Sequence, residues 1–172
     1  MLKKNKLRSL IILSTTAFMM QACGSGRTIV LDPVKHPCQP GGVRICATPS
    51  STEVPEEIKT SFDQLLRERL YKEAGVKEGP ETTLNYRFIQ VNEGSRFQRW
   101  LLGGLGNSGE GTLTTEVTYV DQNHHIVGKI HTEGKIGSGM FGGGFSNAIE
   151  SAVDQIVQYT LKTIQPEIVG NG

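Results

Sequence analysis

The sequence lacks the apolar length of a membrane-spanning helix and the short motifs of several common chemistries. Its N-terminal apolar stretch runs only from Leu10 to Met20, whereas a spanning helix needs about 20 residues. It contains no GxxxxGKS or GxxxxGKT loop for nucleotides and no HExxH or GxSxG motif. Its glycine-rich segments lack the acidic partner and βαβ setting of a dinucleotide site. We therefore predict that the protein is not an enzyme and holds no cofactor or metal.

Basic residues are few outside the N-terminal segment. The chain has 18 Lys and Arg against 17 Asp and Glu, and four of the basic residues lie within residues 1–22. The remainder is mildly acidic, with 14 basic against 17 acidic residues. Nucleic acid binding needs a basic face that neutralises phosphates, and no local cluster supplies one. We predict no nucleic acid partner.

Residues 1–22 have the layout of a secretory signal peptide. A basic start is followed by the short apolar stretch, and the small residue Ala22 then precedes Cys23. The basic start consists of Lys3, Lys4, Lys6 and Arg8. An ordinary secretory signal that happens to end in a cysteine is the alternative. The position of the cysteine favours lipid attachment, because the thiol stands directly after the small residue.

The stretch Met20-Gln21-Ala22-Cys23 resembles the lipobox of bacterial lipoproteins. This resemblance implies cleavage before Cys23 and three acyl chains on it, and two or more chains hold a protein stably on a membrane. Gly24, rather than an aspartate, follows the cysteine. In Gram-negative lipoproteins this implies release to the outer membrane. We expect a protein anchored by lipid to the periplasmic face of the outer membrane.

Two further cysteines, Cys38 and Cys46, form an even pair in an oxidising compartment. The run Pro40–Gly42 between them favours a turn that brings the two sulfurs together. A bridge across so short a loop stabilises by about 2–3 kcal/mol. A metal or redox pair is the alternative, but it lacks CxxC spacing and a nearby ligand set. We predict a Cys38–Cys46 disulfide.

The composition divides the mature chain into three parts. Residues 23–52 are rich in Gly, Pro, Ser and Thr and are predicted to be a tether with one or two short strands, followed by a domain over residues 53–166 and a tail over 167–172. Apolar spacings of three and four predict helices from Val54 to Leu70, capped by Gly75, and from about residue 147 to Ile164. Alternating segments predict a strand at residues 84–88 and a hairpin at residues 111–134.

The order of these elements is strand, helix, strand, hairpin and helix. It predicts an α+β fold in which two helices pack on one face of a small, mainly antiparallel sheet. The apolar stripe of each helix is explained by this packing. A mature chain of 150 residues is long enough for one core that buries about two thirds of its unfolded surface.

Two connections differ in composition from the rest of the chain. Residues 97–106 combine the only tryptophan with large apolar residues and glycines, and residues 137–145 combine glycines with Met and Phe. Connections commonly carry binding residues. The alternatives for the first segment are packing over the sheet and contact with a membrane. The predicted binding surface consists of Phe97, Arg99, Trp100, Leu101, Leu102, Met140 and Phe141.

Titratable side chains give little sign of catalysis. His124 and His125 lie at the predicted hairpin turn, where neighbouring side chains point to opposite faces and do not easily share a ligand. The carboxylates of the hairpin, Glu116, Asp121 and Glu133, are predicted to be solvated charges rather than an acid and a base.

Four segments carry a wider resemblance: residues 94–96, 99–103, 116–121 and 139–145. In composition and order they resemble a Gram-negative lipoprotein family named for its domain of unknown function, number 4410. The likeness extends from about Phe62 to Ile164. It places His125 where the family usually has a hairpin glycine. The resemblance implies the location and the fold, but it implies no activity, catalytic residue or ligand.

Two functions are compatible with these patterns. The first is a non-enzymatic envelope lipoprotein whose periplasmic domain binds another envelope component through the two glycine-rich segments. The second is a carrier of a small apolar molecule or lipid, with a cavity between sheet and helices lined by Phe97, Trp100, Leu101 and Phe141. A hydrolase is a residual third class.

Overall fold

The structure, a computed structural model, describes residues 26–34, 41–92, 111–136 and 145–164. It confirms the predicted α+β class, since a mostly antiparallel five-stranded sheet packs with two helices. In chain order the elements are β1 (Arg27–Asp32), β2 (Val43–Ala47), α1 (Glu56–Arg67), β3 (Thr82–Asn92), β4 (Gly111–Asp121), β5 (Ile126–Ile136) and α2 (Phe145–Tyr159). Turns of π-helix continue α1 over Glu68–Glu73 and α2 over Thr160–Ile164.

The strands lie across the sheet in the order β1-β5-β4-β3-β2. Every pair is antiparallel except β2 and β3, which run parallel with Val43 opposite Thr82. A parallel pair needs a crossover connection, and α1 supplies it between these two strands. The segment over residues 23–52 therefore contributes both outer strands of the sheet, β1 and β2.

Alternation along the strands gives the sheet two different faces. The inner face is apolar: Leu84, Val117 and Ile130 are fully buried on three neighbouring strands. Both described helices pack against this face, as predicted. The other face, called the open face below, carries mainly threonines and charged residues, such as Arg87, Glu116 and Lys129. The core therefore lies in a single layer between sheet and helices.

Helix α1 packs over β3 through aromatic side chains. The ring of Phe62 lies 5.0 Å from those of Tyr86 and Phe88. Two glutamates in the first turn suit the positive end of the helix dipole. The helical segment ends near Gly75, whose φ of 70° lies in the left-handed region that glycine enters without strain. The predicted cap is thereby confirmed.

Helix α2 approaches β5 closely enough to require glycine on the strand. A Cβ atom at Gly134 would lie 2.0 Å from the carbonyl oxygen of Ala148. Further along, the hydroxyls of Tyr119 and Thr160 are 2.9 Å apart in the core, and Thr160 donates to the carbonyl of Ile156 at 2.7 Å. Glycine and small residues thus set the spacing at one end of the contact, and a buried hydrogen bond ties helix to sheet at the other.

The hairpin between β4 and β5 turns where the sequence predicts. His124, not His125, occupies the left-handed region, with a φ of 64°. Asp121 accepts hydrogen bonds from the backbone N–H groups of Asn123 (2.8 Å) and His125 (2.9 Å). These bonds, with that of His125 first, lower the pKa of Asp121. Its charge therefore holds the turn together.

Cys46 lies on β2 after buried Ile45 and is half-buried. Its predicted partner Cys38 lies outside the described residues, so the disulfide stays a prediction. No helix in the described ranges combines the length and apolar content needed to span a membrane.

Candidate functional site

The predicted lipid site and binding surface fall outside the described residues. They are Cys23, Phe97, Arg99, Trp100, Leu101, Leu102, Met140 and Phe141. The structure does describe the strand ends that flank the two glycine-rich segments. Asn92, at the end of β3, pairs with Thr112, and Gly111, at the start of β4, pairs with Ile136. Both segments therefore leave the sheet from neighbouring strand ends.

The N-terminal strand starts at this same end of the sheet. Arg27 is paired with Glu133, three residues before β5 ends. Gly26 stands in a narrow space, since a Cβ atom there would lie 1.9 Å from the side-chain nitrogen of Gln155 and 2.1 Å from the hydroxyl of Ser151. Gln155 also donates to the carbonyl of Glu133 at 3.1 Å. The point at which the N-terminal segment joins the domain is thus fixed between β5 and α2.

The open face carries a cluster of charges centred on Glu116. Its carboxylate lies 2.8 Å from Arg87 Nη2, 3.1 Å from His131 Nε2 and 3.7 Å from Lys129 Nζ. We call these four residues the Glu116 cluster. The register places Arg87 and His131 directly opposite Glu116, one on each neighbouring strand. Only 12% of the Glu116 side chain is exposed, so the expectation of a solvated charge is wrong for this residue.

The neighbours of Glu116 keep it ionised. Burial acts to raise its pKa, but the hydrogen bond with His131 and the charges of Lys129 and Arg87 outweigh burial, and the pKa is lowered. A general acid needs the opposite shift, toward neutral pH. Arg87 is 42% exposed and Lys129 32% exposed, so both still present donors at the surface. The cluster therefore suits binding of polar or anionic groups better than proton transfer.

The two other predicted carboxylates serve local structure. Asp121 organises the hairpin turn, and Glu133 accepts a hydrogen bond from Arg27 Nε at 2.7 Å. Within the ranges that the structure describes, no group of three or more His, Cys, Asp or Glu side chains is arranged to hold a metal ion. These carboxylates are not brought together into a pair.

A groove of about 370 Å³ lies between the segment after β2 and the beginning of α1. It is lined by Ala47, Thr48, Pro49, Ser50, Thr52, Glu53, Val54, Lys59, Tyr86 and Phe88. The phenol of Tyr86 donates to Asp63 at 3.0 Å. Burial, followed by the charge of Asp63, raises the Tyr86 pKa, so the phenol stays protonated. The groove is of a size for a small molecule, whereas the residues predicted to line a cavity, Phe97, Trp100, Leu101 and Phe141, lie outside the described residues.

The partners of Glu116 are not predictable from the sequence pattern alone. Arg87, Lys129 and His131 stand at polar positions of alternating strands, and this signal places them on the outer face. Their pairing depends on strand register, which alternation alone does not provide. A bulge between Phe88 and Gln90 shifts the register of β3 against β4. No glycine or other turn residue at this position indicates the bulge in the sequence.

Residues 47–139, more than half of the chain, match the family described as "Domain of unknown function (DUF4410)". A comparison with curated proteins gives no match. Two solved structures of the PelC dodecamer from Paraburkholderia phytofirmans are similar, one of them a point variant. The variant is 13% identical with a TM-score of 0.49, over 78% of this chain and 96% of that one. The other is 15% identical with a TM-score of 0.47, over 83% and 98%.

Proposed function

Since the chain belongs to the DUF4410 family of domains of unknown function, we propose its function from its own residues and geometry. The protein is a membrane-anchored envelope lipoprotein, cleaved before Cys23 and held by lipid on the periplasmic face of the outer membrane. Its domain is a non-catalytic module that binds another envelope component. The binding surface comprises the two glycine-rich segments that contain Trp100 and Phe141.

The arrangement of the strand ends carries this proposal. The described ends that flank residues 93–110 and 137–144 are neighbours in the sheet, because Gly111 pairs with Ile136. Residues remote in sequence thus leave the domain side by side, as a composite surface requires. Gly26, which follows the proposed lipid site by three residues, is fixed at the same end. The proposed partner surface is therefore close to the membrane.

The absence of catalysis is supported by the state of the polar side chains. In the described parts of the chain, Glu116 is ionised and forms ion pairs with three neighbours. Asp121 accepts hydrogen bonds from the backbone of the hairpin turn. An active site needs a poised acid, base or nucleophile. Side chains already engaged in such bonds serve structure first.

The anchor is tested by metabolic labelling with a fatty acid, comparing the wild type with Cys23→Ser. The wild type takes up label and sediments with membranes, and the variant does neither. Cys46→Ser is the matched control, because its thiol lies within the folded domain, and it takes up label like the wild type. An unlabelled, freely soluble wild type contradicts the anchor.

The binding surface is tested by crosslinking in intact cells. The double variant Trp100→Ala with Phe141→Ser loses the crosslinked partner. Asn123→Ala is the matched control, since Asn123 lies at the hairpin tip, about 33 Å along β5 from the segments at about 3.3 Å per residue. If the double variant keeps every crosslinked partner of the wild type, the glycine-rich segments are not the interface.

A carrier of a small apolar molecule is the alternative function. The described core between sheet and helices is packed with buried side chains, among them Phe62, Phe88 and Ile156, and the groove of about 370 Å³ lies beside it, next to the segment after β2. That packing favours a binding module over a carrier. Native mass spectrometry separates the two, because a carrier copurifies with its ligand and the proposed module has its bare mass.

A further inference from the structure

The two edges of the sheet differ in the side chains that they expose. Among the described residues, the large apolar side chains that stand out into solvent are Val30, Leu31 and Ile126, with 47%, 48% and 56% of their surfaces exposed. The first two lie on β1 and the third begins β5, the strand paired with β1. At the opposite edge, β2 buries Val43 and exposes Arg44. One edge is therefore apolar and the other is polar.

The apolar edge belongs to the strand nearest to the proposed lipid site. Cys23 precedes Gly26 by three residues, which span at most about 11 Å when fully extended. Gly26 is held against Gln155 and Ser151 of α2. The distance between Cys23 and the domain therefore cannot grow by detachment of the start of β1 unless this contact breaks. A lipid on Cys23 therefore keeps the beginning of β1 within about 11 Å of the bilayer surface.

This short reach restricts how the domain can stand on the membrane. Leu31 is five residues from Gly26, about 17 Å along the strand, and β2 is four strand spacings from β1, about 19 Å across the sheet. Apolar side chains strengthen membrane binding when they are buried at the boundary between head groups and acyl chains. The exposed guanidinium of Arg27, with 70% of its side-chain surface accessible, suits the phosphates of the head groups.

We propose that the β1 edge of the sheet lies along the lipid surface, with Val30, Leu31 and Ile126 at the boundary between head groups and acyl chains. This inference rests on the proposed anchor at Cys23. The sheet then stands on its edge, with the open face turned sideways and β2 directed away from the membrane. The Glu116 cluster stays accessible to a partner in this orientation.

A second copy of the chain is the other occupant that an outer strand attracts, because such a strand offers unpaired backbone groups. The register of β1 shifts between Val30 and Asp32, and a bulge of this kind bends an edge and interrupts pairing with another strand. A charged residue, Arg27, also stands at the start of the strand. These features favour lipid over a second copy.

The experiment uses the full lipidated protein in vesicles of phosphatidylethanolamine and phosphatidylglycerol with brominated acyl chains. An environment-sensitive fluorescent amino acid is placed at Leu31, and at Arg44 as the matched exposed position on the opposite edge. We expect quenching by brominated lipid at least about threefold stronger at Leu31 than at Arg44, because bromine quenches only at close range and Arg44 is directed away. Vesicle flotation is measured on the same samples.

Each result separates the inference from the proposed function. Protein that floats with the vesicles but is quenched equally at Leu31 and Arg44 overturns the orientation and leaves the anchor standing. A Leu31 probe shielded from both brominated lipid and aqueous iodide, together with crosslinked dimers, assigns the edge to a second copy and also overturns it. Protein that does not float overturns the anchor, and the orientation with it.

A charge on the edge gives an independent check. Leu31→Asp places a carboxylate on a half-exposed position, so the fold is kept, and the acyl chains still hold the protein to the vesicles. A fluorescent amino acid at Ile126 is expected to lose most of its quenching in this variant. Unchanged quenching at Ile126 with normal flotation contradicts contact between the edge and the lipid.

Discussion

Replacing Glu116 with glutamine removes the charge around which three side chains of the open face are arranged. The amide has nearly the same size, so the change isolates the charge. A hydrogen bond to a charged group contributes about 1.5–3 kcal/mol. Arg87 and Lys129 are 42% and 32% exposed, so water and salt screen part of this contribution. We expect Glu116→Gln to lower the free energy of unfolding by about 1–2 kcal/mol at pH 7.

The effect of Glu116→Gln depends on pH with a definite sign. The folded state lowers the pKa of Glu116 below its unfolded value. The stabilisation is therefore complete above the unfolded pKa, about 4.3, and is lost as the pH falls through the folded pKa. The difference in stability between wild type and variant is thus present at neutral pH and shrinks below about pH 4.

Urea unfolding of the mature chain without lipid measures this difference at several pH values, and thermal unfolding serves as a second readout. For a domain of this size, about 1–2 kcal/mol corresponds to a Tm lower by about 2–8 °C. Glu133→Gln is the control, because its partner Arg27 is 70% exposed, and it loses no measurable stability. Equal stability of Glu116→Gln and wild type at pH 7, or a loss that grows toward acid, refutes this reasoning.

Three further predictions concern stability, each measured by urea unfolding. Gly134→Ala pushes a Cβ atom against the carbonyl of Ala148 and lowers the free energy of unfolding by about 2–3 kcal/mol; an unchanged midpoint contradicts the close contact. Thr132→Val removes a buried hydroxyl that has no hydrogen-bond partner in the described part of the chain and raises the free energy of unfolding by up to about 1 kcal/mol. A lower free energy of unfolding would mean that this hydroxyl does form a hydrogen bond. Reduction of the predicted Cys38–Cys46 disulfide lowers the free energy of unfolding by about 2–3 kcal/mol. Two thiols that react with a thiol reagent in the native protein refute the disulfide.

Periodicity made the helices and the central strands predictable. The apolar side chains from Val54 to Leu70 are shielded from water only when the helix packs against a core. Gly75 ends the helical segment because it adopts a positive φ, which depends on this one residue. Alternation at residues 111–134 likewise predicts strands with one buried face. These signals are local, so one sequence is sufficient to read them.

The remaining features depend on contacts between distant residues. β2 pairs in parallel with β3. The strand direction follows from the crossover through α1 and not from the residues of either strand. The narrow space at Gly26 is formed by side chains of α2, more than a hundred residues later in the chain. The partners of Glu116 are likewise selected by register across three strands. Such juxtapositions belong to the tertiary fold and leave no short-range pattern.

The central claim is that lipid on Cys23 fastens the folded domain to a membrane. It is tested most directly by mass spectrometry of the N-terminal peptide from protein purified out of cell membranes. We predict that the mature chain begins at Cys23 and carries the added mass of three acyl chains. A chain recovered from the soluble fraction, with an unmodified Cys23 or with residues 1–22 still attached, contradicts the account.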